Sequence, residues 1–116
     1  MAFTLCTVSG KVYLALGSSA PTQCGGTLRV EIVDANGNPS SAAVSDGTNT
    51  HRFGGYIDTT ISDSTGVSFK IPQGSQFTAG TRIKATYIIT TPTSMTWSEY
   101  WTIPDTATAD IGNLAT

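Results

Sequence analysis

The sequence predicts an all-β chain: one sandwich of two packed sheets with about seven strands, spanning residues 1–116 as a single domain. Three observations point there. Ser and Thr fill 32 of 116 positions, and Thr is a β-branched residue that suits a pleated surface. Apolar and polar residues alternate in several short runs, the period of a strand with one face buried. No stretch combines a 3.6-residue apolar repeat with capping residues at both ends, so no helix is predicted. The length is near the commonest for a single core. An apolar share of 39% is enough to offset the ordering entropy that keeps many Ser-rich chains disordered.

In chain order, residues 3–16 read as one long strand, or two strands broken at Ser9-Gly10. Residues 17–26 (Gly, Ser, Pro and a Gly-Gly pair) read as a loop. Residues 27–34 alternate, with Leu28, Val30 and Ile32 on one face and Arg29 and Glu31 on the other. The run Asp34-Ala-Asn-Gly-Asn-Pro39 turns the chain, because Asn36-Gly37 tolerates the positive φ of a tight turn. Residues 40–55 are polar and contain Gly, and read as a long loop with one short strand. Residues 56–62 form a strand with Ile57 and Ile61 on one face, and Asp63-Ser-Thr-Gly66 a turn. Val67, Phe69 and Ile71 point inward from the next strand. Residues 72–80 form a loop with Phe77 as its plug into the core. Ile83, Ala85, Tyr87 and Ile89 share a face of the following strand, and residues 90–96 turn. The last long strand, residues 97–103, sets Trp101 and Ile103 on one side. A small-residue tail follows from Pro104, and its apolar spots Ile111 and Leu114 are expected to dock it onto the sandwich.

Charge excludes some partners. The net charge is −2, and Lys11, Arg29, Arg52, Lys70, Arg82 and Lys84 are scattered rather than gathered into the basic stripe that a phosphate backbone requires. Nucleic acid is therefore not an expected partner. No apolar run approaches the ~20 residues of a membrane-spanning helix, and no membrane partner is expected. The start, Met1-Ala-Phe-Thr-Leu5, lacks the basic flank and apolar core of a signal peptide, so synthesis in a cytoplasm is expected. Cys6 and Cys24 read as free thiols, with Cys6 buried. In a hairpin closed by residues 17–26, Cys24 lies near Leu16, ten residues or roughly 33 Å of strand from Cys6. A disulfide needs Cα atoms within about 7 Å.

Few residues invite chemistry. His51 is the only histidine. A catalytic reading needs Asp46 or Asp58 beside it and a nucleophile, but Ser and Thr are too abundant for proximity to mean anything, and no G-x-S-x-G elbow exists. Asp34-x-Asn36-x-Asn38 opens like a calcium loop, yet Pro39 stands at the sharp-turn Gly position and Ser45 at the bidentate Glu position. Asp105 and Asp110 flank a small-residue tail, without the cleft that a glycosidase pair needs. No catalytic residue, metal or cofactor is predicted. Trp97, Tyr100 and Tyr56, with Phe53, Tyr87 and Trp101 near them in sequence, could line a sugar-binding face. Against that, a core of this size needs Trp101, Tyr87 and Phe69 as filling. Tyr100 faces opposite to Trp101 and is the aromatic expected to be exposed, the mark of a contact surface.

Two sets of residues carry a resemblance. Val8-Ser-Gly-Lys-Val-Tyr-Leu14 followed by Val30-Glu-Ile-Val-Asp-Ala-Asn-Gly-Asn-Pro39 resembles carboxypeptidase-regulatory-like and transthyretin-like sandwiches. Asp63-Ser-Thr-Gly-Val-Ser-Phe-Lys-Ile-Pro72, residues 81–87, Tyr100-Trp-Thr-Ile-Pro-Asp105 and Ala109-Asp-Ile-Gly-Asn-Leu114 look like small β-sandwich domains in structural proteins of tailed bacteriophages. Those include minor tail proteins of actinobacterial phages, which often end in a Pro-Asp step and an Asp-hydrophobic-x-x-Leu tail. Residues 40–55 depart from the usual short connection.

The resemblance implies an Ig-like or transthyretin-like sandwich and a non-enzymatic virion component. A capsid decoration (cement) protein suits a single sandwich, with a minor tail or tail accessory subunit close behind and a carbohydrate-binding adhesion module as the rival. The expected partners are the major capsid protein or tail proteins, with a homotrimer as the self-associated form. The expected contact residues are Phe3 and Leu5 in the arm of residues 1–5, Phe53 in the 40–55 segment, and the aromatics Tyr56, Trp97 and Tyr100.

Overall fold

A computed structural model describes residues 3–17, 20–45, 48–77 and 81–115. Among the described residues the strands are β1 (Leu5–Gly10), β2 (Tyr13–Leu14), β3 (Thr22–Gln23), β4 (Gly25–Val33), β5 (Ser41–Ser45), β6 (Thr50–Gly54), β7 (Tyr56–Ile61), β8 (Val67–Pro72), β9 (Arg82–Thr91), β10 (Met95–Trp101) and β11 (Thr108–Asp110). Two single turns of 3-10 helix occur at Gly74–Gln76 and Ile111–Asn113. A four-stranded antiparallel sheet runs β10-β9-β4-β7, and a three-stranded sheet runs β11-β1-β8. In the smaller sheet β1 is antiparallel to β8 but parallel to β11. Two hairpins, β2-β3 and β5-β6, complete the set. The chain is an all-β sandwich, as the alternation predicts.

Register fixes which residues meet. Leu28, Val30 and Ile32 of β4 lie opposite Tyr87, Ala85 and Ile83 of β9, and all six are buried. From the other sheet, Cys6 and Val8 of β1 and Val67, Phe69 and Ile71 of β8 complete the core. The rings of Phe69 and Trp101 stack at 6.2 Å between centroids, so one aromatic contact joins the two sheets. Ile111 and Leu114 are buried with them, and the expected docking of the tail is present. Its backbone is anchored as well. The Thr7 amide donates to the Ala107 carbonyl at 2.8 Å, and the Thr102 amide to the Leu114 carbonyl at 2.9 Å.

The strand count is higher than the sequence reading, for four local reasons. Residues 3–16 split after Gly10, the second of the two expected forms. A Cβ at Gly10 would stand 2.6 Å from the Ile111 side chain, so the break sits where the tail packs. The expected loop 17–26 contains the short β3 and the start of β4, and between them the Cys24 amide donates to the Val12 carbonyl at 2.8 Å. Residues 40–55, expected to be a loop with one strand, form the paired strands β5 and β6. In that hairpin Val44 is buried, while His51, Arg52 and most of its other described side chains are exposed. Such a solvated ribbon has no apolar alternation to read. The tail adds β11, three residues of small or polar side chains whose pairing is carried by backbone. The last long strand ends at Trp101 rather than Ile103, which is still buried.

Turns and close approaches use glycine where the geometry demands it. Gly66 has φ 79°, and a Cβ there would run into the Gly10 carbonyl, so the β7-β8 turn lies directly on the end of β1. Gly26 sits at a register shift, with Gly25 opposite Thr91 and Gly26 opposite Ile89. This bulge leaves Thr90 as the extra residue on β9.

Ile111→Ala and Leu114→Ala are each expected to lower stability by about 2–4 kcal/mol, because the tail fills a packed core. Removing residues 106–116 is expected to abolish cooperative urea unfolding, since β1-β8 alone is a two-stranded pair. Gly66→Ala is expected to cost on the order of 2 kcal/mol through positive φ and backbone collision. Urea midpoints of the purified variants measure all three. A wild-type midpoint for the truncated chain would show that the tail is decoration on an already complete fold.

Candidate functional site

The strands sort the candidate contact residues onto three surfaces. On the outer face of the larger sheet lie Tyr56 and Asp58 of β7, Arg29 and Glu31 of β4, Lys84 and Thr86 of β9, and Ser98 and Tyr100 of β10. Arg29 donates to both carboxylate oxygens of Asp58, at 2.8 and 2.9 Å, and its guanidinium sits 4.0 Å over the Tyr56 ring. Those Arg29 hydrogen bonds hold the Asp58 carboxyl below its ordinary range, against an opposing desolvation. Tyr56 is 59% exposed, the most open of the large apolar residues among those described. Its ring is held flat by Arg29 without being covered.

Tyr100 differs from its sequence reading. Its neighbour Trp101 does point into the core, but Tyr100 is half-buried rather than exposed. Arg82 lies 3.6 Å over its ring, and the turn after β4 closes on its hydroxyl at Gly37. That turn is held by Asp34, whose Oδ1 accepts the amides of Asn36 at 2.8 Å and Asn38 at 3.1 Å. The residues that opened like a calcium loop are thus an Asx turn. Among the described residues no group of three or more His, Cys, Asp or Glu is placed to hold a metal ion.

A second surface lies where β1 begins. Phe3 meets His51 edge-on at 5.7 Å and Phe53 at 6.4 Å, and Phe53 meets Phe77 at 5.9 Å. The expected contact residues Phe3 and Phe53 therefore come together, and Phe77 packs half-buried against the core as expected. The chain start is folded onto the β5-β6 hairpin at Phe3. Leu5, next along β1, is 40% exposed. Residues 1 and 2 of the arm, and Asp46, lie outside the described residues. The other carboxylate considered for His51, Asp58, is bonded to Arg29. Beside this cluster a cavity of about 250 Å³ opens among Val30, Ile32, Phe53, Tyr56, Ile57 and Ile71.

The third surface is a cleft of about 220 Å³ at the β10 edge of the sandwich. Trp97, Glu99 and Trp101 share the inner face of β10, opposite Tyr87, Ala85 and Ile83. Trp101 is buried. Trp97 is half-buried, stacked on Tyr87 at 4.9 Å and 14°. Glu99, an inward-facing charge on an edge strand, is half-buried and lines the cleft beside Tyr87, whose phenol proton it helps to hold. Lys11 and Tyr13 close the cleft from the segment around β2, with Ile111 and Gly112 from the tail.

Sequence reasoning grouped Trp97, Tyr100 and Tyr56 as one sugar-binding face. The structure separates them, with Trp97 on the inner face and the two tyrosines at opposite edges of the outer face. It missed Lys11, Tyr13 and Glu99. The signal for Glu99 was its parity, a carboxylate at the position between two tryptophans that point inward.

In comparisons with protein-family models, curated proteins and solved structures, nothing matches this chain.

Burial raises the Cys6 and Cys24 thiols above their ordinary 9.0. Burial first, then Glu99, raises Tyr87 above its ordinary 10.0. Each group holds its proton more tightly in the folded chain. The stability this contributes is complete below the unfolded values and is lost as pH rises through the folded ones. Urea midpoints are expected to fall above about pH 9, and a Cys6→Ala, Cys24→Ala double variant is expected to fall less steeply. A thiol reagent at neutral pH is expected to leave both cysteines unmodified until the chain unfolds. Rapid labelling of the native protein would contradict the burial.

Proposed function

We propose that this chain is a non-enzymatic structural protein of a bacteriophage virion, a decoration (cement) protein bound to the outer capsid surface. The observation that carries the reading is the tail. Pro104-Asp105 and Asp110-Ile-Gly-Asn-Leu114, the segment most like the sandwich domains of tailed phages, is also the segment that pairs with β1 and buries Ile111 and Leu114. Exposed apolar residues on more than one side support the attachment role. Tyr56 and Ile88 stand on the outer face of the larger sheet, Leu5 on the smaller sheet and Tyr13 beside the cleft. A subunit that bridges neighbours needs contacts in more than one direction.

The mechanism is passive. A protein that binds the assembled shell and not its dissociated subunits stabilises assembly by mass action. The partner in this reading is the major capsid protein, and a trimer at a local symmetry axis is a form that repeats naturally across a lattice. A minor tail or tail accessory protein is the competing location within the same virion.

Quantifying copies per particle decides between them. A number matching the capsid lattice is expected, and capsids lacking the protein are expected to disassemble at lower temperature until it is added back. A copy number matching the tail would overturn the capsid location. Tyr56→Ser is expected to weaken binding to undecorated capsids at least about tenfold, equivalent to ~1.4 kcal/mol, as loss of an exposed aromatic anchor does. Its urea midpoint should stay near wild type. Unchanged capsid affinity would remove Tyr56 from the interface.

A further inference from the structure

We propose that the cleft at the β10 edge is a saccharide-binding site, taking one pyranose ring of a surface glycan between Trp97, Tyr13, Glu99 and Lys11. The inference stands apart from the virion reading, since it rests only on what these side chains offer. A pyranose has apolar C–H faces and a rim of hydroxyls. Its recognition needs an aromatic surface for the face and charged or planar polar groups for the rim. The cleft holds both within about 220 Å³, below the range of drug-sized pockets and in keeping with a single ring.

The aromatic part is pre-set. Trp97 lies parallel to Tyr87 at 4.9 Å. Tyr87 is itself 4% exposed, so the indole rests on a fixed support and keeps part of its surface on the cleft. Tyr13, 52% exposed, supplies a second ring from across the opening. These rings lose little side-chain entropy on binding.

The polar part is oriented too. A carboxylate on the inner face of a sheet would ordinarily be costly. Glu99 is tolerated there because β10 is an edge strand, where the side chain is half-buried and opens onto the cleft. Burial first, then Glu99, holds the proton on the Tyr87 phenol. The carboxylate retains lone pairs for ligand hydroxyls, since an ionised carboxyl accepts at about four sites. Lys11 is exposed at the rim and brings ammonium donors for hydroxyl, ring or acidic oxygens. An inward charge also blunts an edge strand against aggregation. Edge protection alone leaves the aromatic pair, Tyr13 and Lys11 around the same space unexplained.

The test combines a glycan array with ligand-observed saturation-transfer NMR, using methyl glycosides of glucose, galactose, mannose, rhamnose and N-acetylglucosamine at millimolar concentration. Binding to at least one glycan is expected, with a fluorescence change from Trp97, since the other tryptophan is buried. Glu99→Gln keeps the shape and can still accept from Tyr87. It is expected to weaken binding about tenfold or more, as removal of a charged hydrogen-bond acceptor does. Trp97→Ala is expected to abolish binding, but it also removes the support of Tyr87. Tyr13→Ala and Lys11→Ala, both at exposed positions, are therefore the variants that keep a folded comparison. Each is expected to weaken binding severalfold with the urea midpoint retained. Absence of binding to every glycan by the wild-type chain overturns the proposal. So does a bound glycan whose affinity is indifferent to Glu99→Gln, Tyr13→Ala and Lys11→Ala together.

Discussion

The structure depends on the parallel pairing of β11 with β1. Without it the smaller sheet is β1 and β8 alone, and two strands do not sustain a sheet in water. The pairing is only three residues long, too short to hold by hydrogen bonds. What holds it is burial on both sides of the three residues. Cys6 and Val8 of β1 are sealed in the core, and Ile111 and Leu114 follow immediately after β11. The same contact sets the break after Gly10, because Ile111 occupies the space that a side chain there would need. Gly66 then lies against the Gly10 carbonyl, so the β7-β8 turn is positioned by the docking of the tail. Residues 108–114 thus bear on the geometry of β1 and of the β7-β8 turn.

Much of this was legible where burial is one-sided. The alternation in residues 27–34, 67–71 and 82–90 sorted Leu28, Val30, Ile32, Phe69, Ile71, Ala85 and Tyr87 correctly, because a strand with one face on the core must show period two. The docking of Ile111 and Leu114 was legible for a related reason, since isolated large apolar residues in a small-residue tail have few other places to go. The β5-β6 hairpin was not legible. Its side chains are mostly solvated, with Val44 as the exception, and backbone pairing leaves no mark on such a sequence. β11 was silent in the same way. Tyr100 was misread because parity tells which face a side chain leaves by, but not what folds over that face. Arg82 and the Asp34 turn both lie on it.

The two arginine–tyrosine stacks bear on how the outer face behaves. Arg82 and Arg29 each set a guanidinium over a tyrosine at opposite edges of the sheet. Guanidinium–ring contacts keep apolar stems over aromatic surface while the charge stays wet. Between the stacks, Thr86 and Ser98 share a hydrogen bond at 3.0 Å. The outer face is therefore polar and ordered at little desolvation cost, and Tyr56 is where it leaves a broad ring open. The grouping of aromatics by sequence alone could not separate this face from the inner one, because Trp97 and Tyr100 are only three residues apart and three is odd.

That parity has a functional consequence. Tyr56 and Trp97 sit on the two edge strands of the same four-stranded sheet, strands that lie three spacings or about 14 Å apart, and they leave it by opposite faces. A partner seated on Tyr56 and the outer face meets Arg29 and Asp58, a flat polar surface with one aromatic anchor. A ligand at Trp97 enters instead between the sheets, where Glu99 and Tyr87 are held by the core. The two sites share no side chain, and the strands between them, β4 and β9, carry Leu28, Val30, Ile32, Ile83, Ala85 and Ile89 into the core. Under the two proposals this central pair separates an edge fixed to an assembly from an edge that stays open. Both proposed sites lie on the four-stranded sheet, which the tail meets at Trp101 through Ala115 while its strand β11 completes the smaller sheet.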